Sequence, residues 1–166
     1  IERISATAKR YLDFADREIL IDAAHNPEGA AALASWLMST EKRPLTVLCG
    51  VVIGKLTTGM AEPLRDAASV VLCKPPTPRG LSATDLARQP EFGVGEPIED
   101  WQAALLTALQ RTPPGGRLLV YGSIFLIGAV RAALLDESTD ELLVQDPGRP
   151  TTPPAAPQPP TPAVLP

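Results

Sequence analysis

Three residues with usable chemistry fall close together in the segment Ile21-Asp22-Ala23-Ala24-His25-Asn26-Pro27. Asp22 ends an aliphatic run, Glu18-Ile19-Leu20-Ile21-Asp22, so a strand would hold its carboxylate at the tip. There it can accept hydrogen bonds from a ribose diol or stand beside a cationic group. His25 is the only histidine of the chain. Asn26 is a strong N-cap and Pro27 suits a first helical turn, so a helix begins at this point. Small residues at 23 and 24 let backbone or ligand approach closely. The same residue types also suit a plain capped turn in which Asp22 and His25 satisfy backbone groups, and the residues alone leave both readings open.

Three further loops follow apolar runs. Gly50-Val-Val-Ile-Gly54-Lys55-Leu56 differs from a phosphate-binding loop in two respects: its glycines are one residue too close, and Leu56 stands where Ser or Thr would bind Mg²⁺. A tight strand-to-helix loop with an exposed Lys55 fits it better. Lys74-Pro-Pro-Thr-Pro-Arg79-Gly80 is stiff, and the Arg79 guanidinium could grip a carboxylate or phosphate, or simply be solvated. In Tyr121-Gly122-Ser123-Ile124-Phe125, Ser123 can cap the following helix and its backbone N–H can meet an anion. A Ser123–His25–Asp22 hydrolase triad is disfavoured, because the G-x-S-x-G elbow is missing. No Cys/His spacing for zinc and no carboxylate cluster points to a metal site.

These loops need a scaffold that gathers them. Glu18–Asp22, Leu45–Gly50, Ser69–Cys73 and Arg117–Gly122 read as buried strands, with a weaker one near Phe92–Val94. Their apolar runs are continuous, as expected when helices cover both faces of a parallel sheet. Helical stripes lie between them: Ala30, Leu33, Ala34 and Leu37; a shorter one at Met60, Leu64 and Ala67; Trp101, Leu105 and Leu109; and Ile124, Ile127, Val130, Arg131 and Leu134. The alternation predicts an α/β fold with an open, mostly parallel, Rossmann-like sheet flanked by helices. Ligands in such sheets gather at the carboxyl ends of the strands, where all four loops fall.

The 166 residues carry 15 Lys and Arg against 19 Asp and Glu, a net charge of −4, and only 4% aromatics. Neither a basic surface nor a stacking platform for nucleic acid follows from this. No apolar run reaches the ~20 residues that span a bilayer. Cys49 and Cys73 each sit inside a strand-like run and read as buried thiols of a reducing, cytoplasmic compartment rather than a disulfide. The folded domain is expected over residues 1–135. An acidic linker follows at 136–146, then a disordered Pro-rich tail at 147–166 that holds 9 of the 19 prolines. Because the chain opens on Ile rather than Met, it is expected to be part of a longer protein.

The combination Asp22-Ala-Ala-His25-Asn26-Pro27-Glu-Gly29-Ala, a strand ending at Gly50 with Lys55 downstream, Pro78-Arg79-Gly80, and Gly122-Ser123-Ile-Phe-Leu-Ile-Gly128-Ala-Val-Arg131 resembles the carboxyl-terminal domain of the folylpolyglutamate synthase/dihydrofolate synthase family of Mur ligases. The resemblance implies a domain of an ATP-dependent enzyme that joins L-glutamate to folate or dihydropteroate through an acyl phosphate. It implies that Asp22 contacts the nucleotide. His25 would act catalytically near the glutamate and phosphate, and His25, Asn26, Arg79 and Ser123 would help hold the substrate. ATP would come with Mg²⁺ whose ligands lie in a separate amino-terminal ATPase domain, without which this piece is expected to be inactive. Leu56 and Phe125 depart from the family pattern, which often has Asp and Tyr or His there. Two other readings fit the fold: the matching domain of another Mur-type amino acid ligase, or a non-catalytic α/β binding module whose Pro-rich tail recruits partners.

Overall fold

The structure is a computed structural model, and it describes residues 1–55 and 58–137. The expected linker, beyond its first two residues, and the expected tail lie outside the described residues. The chain forms a six-stranded sheet in the order β1-β2-β6-β3-β4-β5. Its strands are β1 (Glu2–Ile4), β2 (Glu18–Asp22), β3 (Leu45–Cys49), β4 (Ser69–Leu72), β5 (Glu96–Pro97) and β6 (Arg117–Tyr121). All pairings are parallel except that of β1 with β2. The helices are α1 (Pro27–Ser39), α2 (Ala83–Ala87), α3 (Trp101–Arg111) and α4 (Ile124–Leu135).

The continuous apolar runs resolve into two cores. Ile19, Ile21, Leu48, Val71, Leu118 and Val120 face one side, where they pack with Leu105 and Leu109 of α3 and Leu126, Val130 and Leu134 of α4. Leu20, Val47, Cys49, Val70, Leu72, Leu119 and Tyr121 face the other, with Ala30 and Leu33 of α1 and Leu86 of α2. Successive residues of β2, β3, β4 and β6 alternate between two buried faces, so their inner positions are almost all apolar.

Two expected elements form differently. The weak strand near Phe92–Val94 lies instead at Glu96–Pro97. Phe92 ends a 3₁₀ turn and is buried at 1% exposure. The chain then turns through Gly95, which lies so tightly against β4 that a β-carbon there would come 2.5 Å from Leu72 Cγ. The stripe at Met60, Leu64 and Ala67 yields only a 3₁₀ turn, Glu62–Leu64. Pro63 has no N–H to return to the preceding turn, so a regular α-helix cannot build through it.

Candidate functional site at the carboxyl edge of the sheet

Each side chain of the Asp22–Asn26 turn is tied to backbone. Asp22 is a half-buried strand-end carboxylate. Its Oδ1 accepts from the Ala24 N–H at 2.8 Å, and Oδ2 lies 3.0 Å from the Ile1 nitrogen. His25 is exposed, with Nδ1 2.8 Å from the Ala23 carbonyl oxygen. A carbonyl only accepts, so Nδ1 carries the hydrogen in this contact and Nε2 is left for another partner. Asn26 Oδ1 accepts from the Gly29 N–H at 2.8 Å and caps α1, as its residue type predicts. The carboxylate, ring and amide are therefore held in place by main chain, with spare hydrogen-bonding capacity on each.

The loops after β3 and β4 are a single unit. Val52 and Gly80 form an antiparallel bridge, in which the Ile53 N–H donates to Arg79 O at 2.8 Å and the Leu81 N–H to Val51 O at 2.9 Å. The β4 loop is folded on itself, with the Gly80 N–H donating to Thr77 O at 2.9 Å. Any side chain at Gly80 would meet Pro75 O at 2.5 Å, which only glycine avoids. The exposed residues Lys55, Lys74 and Arg79 are carried by these paired loops. Reading each loop separately missed this, because the bridge is a tertiary contact without a local signature.

Ser123 sits in the N-cap position of α4 with an extended backbone, but its hydroxyl makes no capping bond. The expected side-chain cap does not form: Ser123 O accepts from the Ile127 N–H at 3.0 Å, the ordinary first bond of the helix, and the hydroxyl leaves the first-turn N–H groups uncapped. The residue is 2% exposed and its Oγ has no hydrogen-bond partner. Among the described residues, the other such buried oxygen is Thr77 Oγ1, in the β4 loop of this same edge. A buried hydroxyl without a partner is costly, and here it stands beside the positive end of a helix dipole. Together they suit an anionic group.

Beneath these loops Tyr121 donates from its hydroxyl to Met60 O at 2.9 Å, wholly inside the protein. Burial raises its pKa well above the usual phenol range. Cys49 and Cys73 are free and buried, as the sequence predicts. Burial pushes the Cys49 thiol up to about 12. Burial also lifts Cys73 well above the usual thiol range. Both stay protonated and neither is a nucleophile at neutral pH.

Strand order sets how these groups line up. Asp22 is in register with Tyr121, and Tyr121 with Cys49, so the ends of β2, β6 and β3 stand side by side. Along the edge come the His25 turn, Ser123, the Gly50–Lys55 loop and the Arg79 turn. All five residues singled out from the sequence, Asp22, His25, Asn26, Arg79 and Ser123, therefore share one edge of the sheet. Ile53 and Ile124 also lie here and are 57% and 58% exposed. Among the described residues no three His, Cys, Asp or Glu side chains come together to hold a metal. No helix there is long and apolar enough to cross a membrane.

Several known proteins resemble this chain in sequence and fold. The chain is 35% identical over 119 residues to the folylpolyglutamate synthase of Lacticaseibacillus casei, covering 70% of this chain and 27% of that one. A Mycobacterium tuberculosis folylpolyglutamate synthase solved with ADP and AMPPCP superposes with a TM-score of 0.65 at 25% identity, covering 80% of this chain and 31% of the other. A bifunctional folylpolyglutamate synthase/dihydrofolate synthase solved with Mn, AMPPNP and L-glutamate gives 0.64 at 25% identity, covering 72% and 29%. The chain thus spans about a third or less of the length of these relatives. The family described as Mur ligase, glutamate ligase domain, matches residues 9–124, which take in the whole carboxyl edge through Ser123. With its parallel sheet and the loops gathered at that edge, the chain belongs to the Mur ligase family, as a glutamate ligase domain.

Proposed function

We propose that this chain is the carboxyl-terminal domain of an ATP-dependent folate glutamate ligase, and that its carboxyl edge helps place nucleotide and glutamate during amide bond formation. The observation that carries the reading is the buried, unpartnered Ser123 hydroxyl at the N-terminus of α4, on the same edge as Asp22 and His25. An anion-receiving helix end beside a strand-tip carboxylate suits a pair of substrates, one acidic and one bearing a ribose. Family membership and the nucleotide- and glutamate-bound relatives support it.

In this reading Asp22 accepts from the ribose hydroxyls, which its remaining lone pairs allow. Ser123, the first-turn N–H groups of α4, Arg79 and Asn26 hold the carboxylates of the incoming L-glutamate. His25, through Nε2, stands ready to take a proton as the glutamate amine attacks. ATP, with a divalent cation that we take to be Mg²⁺, supplies the phosphoryl group that activates the folate or dihydropteroate carboxylate. The cation's ligands and a P-loop belong to an ATPase domain elsewhere in the polypeptide, and Ile53 and Ile124 offer apolar surface against which that domain closes. Catalysis of this type rests on positioning and charge stabilisation. Residues 1–135 form the ligase domain, 136–146 a linker and 147–166 a Pro-rich tail, in a cytoplasmic enzyme.

The test is glutamate addition to folate by the full-length polypeptide, wild type against Asp22→Ala. Losing a hydrogen bond to a charged group should raise the KM for ATP by about 10-fold or more while the KM for folate changes little. An unchanged dependence on ATP would remove Asp22 from the nucleotide site.

A further inference from the structure

Tyr121 joins two parts of the molecule that lie 61 residues apart. Its hydroxyl, at the end of β6, donates to the Met60 carbonyl at 2.9 Å in a fully buried contact. Met60 is itself 0% exposed and belongs to the same core as Ala24 and Ala30, which flank the His25 turn. The preceding residue, Gly59, has a left-handed backbone with φ +92°. A β-carbon placed there would lie 3.5 Å from Pro27 Cβ, so the loop runs alongside the first residue of α1. The Gly59 N–H is held from outside by Glu91 Oε2 at 3.2 Å. Residues 58–60 are therefore a strap, anchored by Tyr121 below and Glu91 above, that bears on the helix start next to His25 and Asn26.

We propose that Tyr121 is a positioning residue for the His25 turn, acting through Met60 and Gly59 on Pro27. Its importance for catalysis rests on the proposed ligase reading, in which His25 faces the substrates. The mechanical claim stands apart from that reading. The His25 ring is fixed by its Nδ1 contact with Ala23 O at 2.8 Å, and that contact depends on where the turn between β2 and α1 is held. A phenylalanine at 121 would keep the ring in the core but release Met60, and the strap could then lift from Pro27. The tyrosine follows the aliphatic run Leu118-Leu119-Val120 at the end of β6, where packing alone would be served by another aliphatic residue.

Because the chain holds a single histidine, its ring resonances are unambiguous. The experiment records the ¹H–¹⁵N imidazole correlations of His25 in the 166-residue chain for wild type, Tyr121→Phe, Glu91→Ala and Leu105→Ala. Leu105 lies in the core on the opposite face of the sheet and serves as a destabilised control that leaves the strap intact. The expected result is a loss of the Nδ1–H tautomer pattern in Tyr121→Phe and its retention in Leu105→Ala. Unchanged His25 correlations in Tyr121→Phe, or the same loss in the control, would overturn the proposal. Should Tyr121→Phe fail to fold, Glu91→Ala decides: this exposed substitution releases the outer anchor, and a shift of the His25 signals supports the strap while none refutes it. The readout needs no ligase activity, so its failure is distinct from failure of the Asp22→Ala test.

Discussion

Arg117 and Glu18 form an ion pair at the amino edge of the sheet, Nε to Oε2 at 2.6 Å, with their side chains only 6% and 10% exposed. They are register partners on β6 and β2, so the parallel pairing itself brings them together. Arg117 also donates to Thr40 Oγ1 at 2.9 Å and lies over the Trp36 ring. Glu18 offers its other oxygen to Arg3 at 2.7 Å. This edge joins β2 to β6 at the end opposite the candidate site.

Arg117→Ala should lower stability by about 3 kcal/mol, the low end of what removing one partner of a buried pair costs, because Arg3 still serves Glu18. Urea unfolding followed by circular dichroism checks it. A midpoint equal to wild type would show the pair to contribute nothing.

Ser123→Ala should behave in the opposite sense. Its hydroxyl is buried without a partner, so removing it should leave stability unchanged or raise it by up to ~1 kcal/mol. In the longer ligase we propose, the same substitution should raise the KM for glutamate roughly 10-fold. A drop in melting temperature with an unchanged KM would mean that the hydroxyl serves the fold rather than a ligand.

Alkaline pH should unfold the protein through its buried acids. Cys49 is pushed up to about 12 from an ordinary value of 9.0, and Cys73 and Tyr121 move in the same direction. A group with a raised folded-state value keeps its proton in the native state after the unfolded chain has lost it. The stability it contributes is therefore fully present below pH 9 and lost as pH rises towards 12. Denaturant midpoints measured between pH 8 and 12 should fall across that window. Both thiols should resist alkylation in the native protein at pH 8 and react once it is unfolded. Rapid native labelling would contradict the burial.

The strands at 18, 45, 69 and 117 and the helices after Asn26, Asp100 and Ser123 were legible because each carries its own signal. Those signals are unbroken aliphatic runs for two-faced burial, the Asn26 cap ahead of α1, and the apolar stripes of α3 and α4. β1 was not legible. Only Ile4 of its three residues is buried, and the strand exists because Glu2, Arg3 and Ile4 pair with Ile21, Leu20 and Ile19. α2 left a usable trace that went unread: Ser82 Oγ accepts from the Asp85 N–H at 3.0 Å and donates to Asp85 Oδ2 at 2.7 Å. At the site, Asp22, His25, Asn26, Arg79 and Ser123 could be placed on one edge from strand ends alone. The Val52–Gly80 bridge and the Tyr121–Met60 bond could not, since each depends on segments far apart in the chain meeting in three dimensions.

The sheet's strand order has a consequence for synthesis. β6 lies between β2 and β3, yet among the described residues it is the last strand to be made. A ribosome that has delivered Asp22 must add some hundred residues before Tyr121 emerges to pair with it, a delay on the order of ten seconds at ordinary rates of synthesis. Throughout that interval β2 and β3 present bare hydrogen-bonding rows and uncovered aliphatic faces, the surface that holding chaperones bind and that neighbouring nascent chains can pair with. The stretch from Arg117 to Tyr121 acts as a keystone. A nonsense codon anywhere before it leaves a sheet without a middle, and such a product should be degraded rather than accumulate as a smaller folded protein.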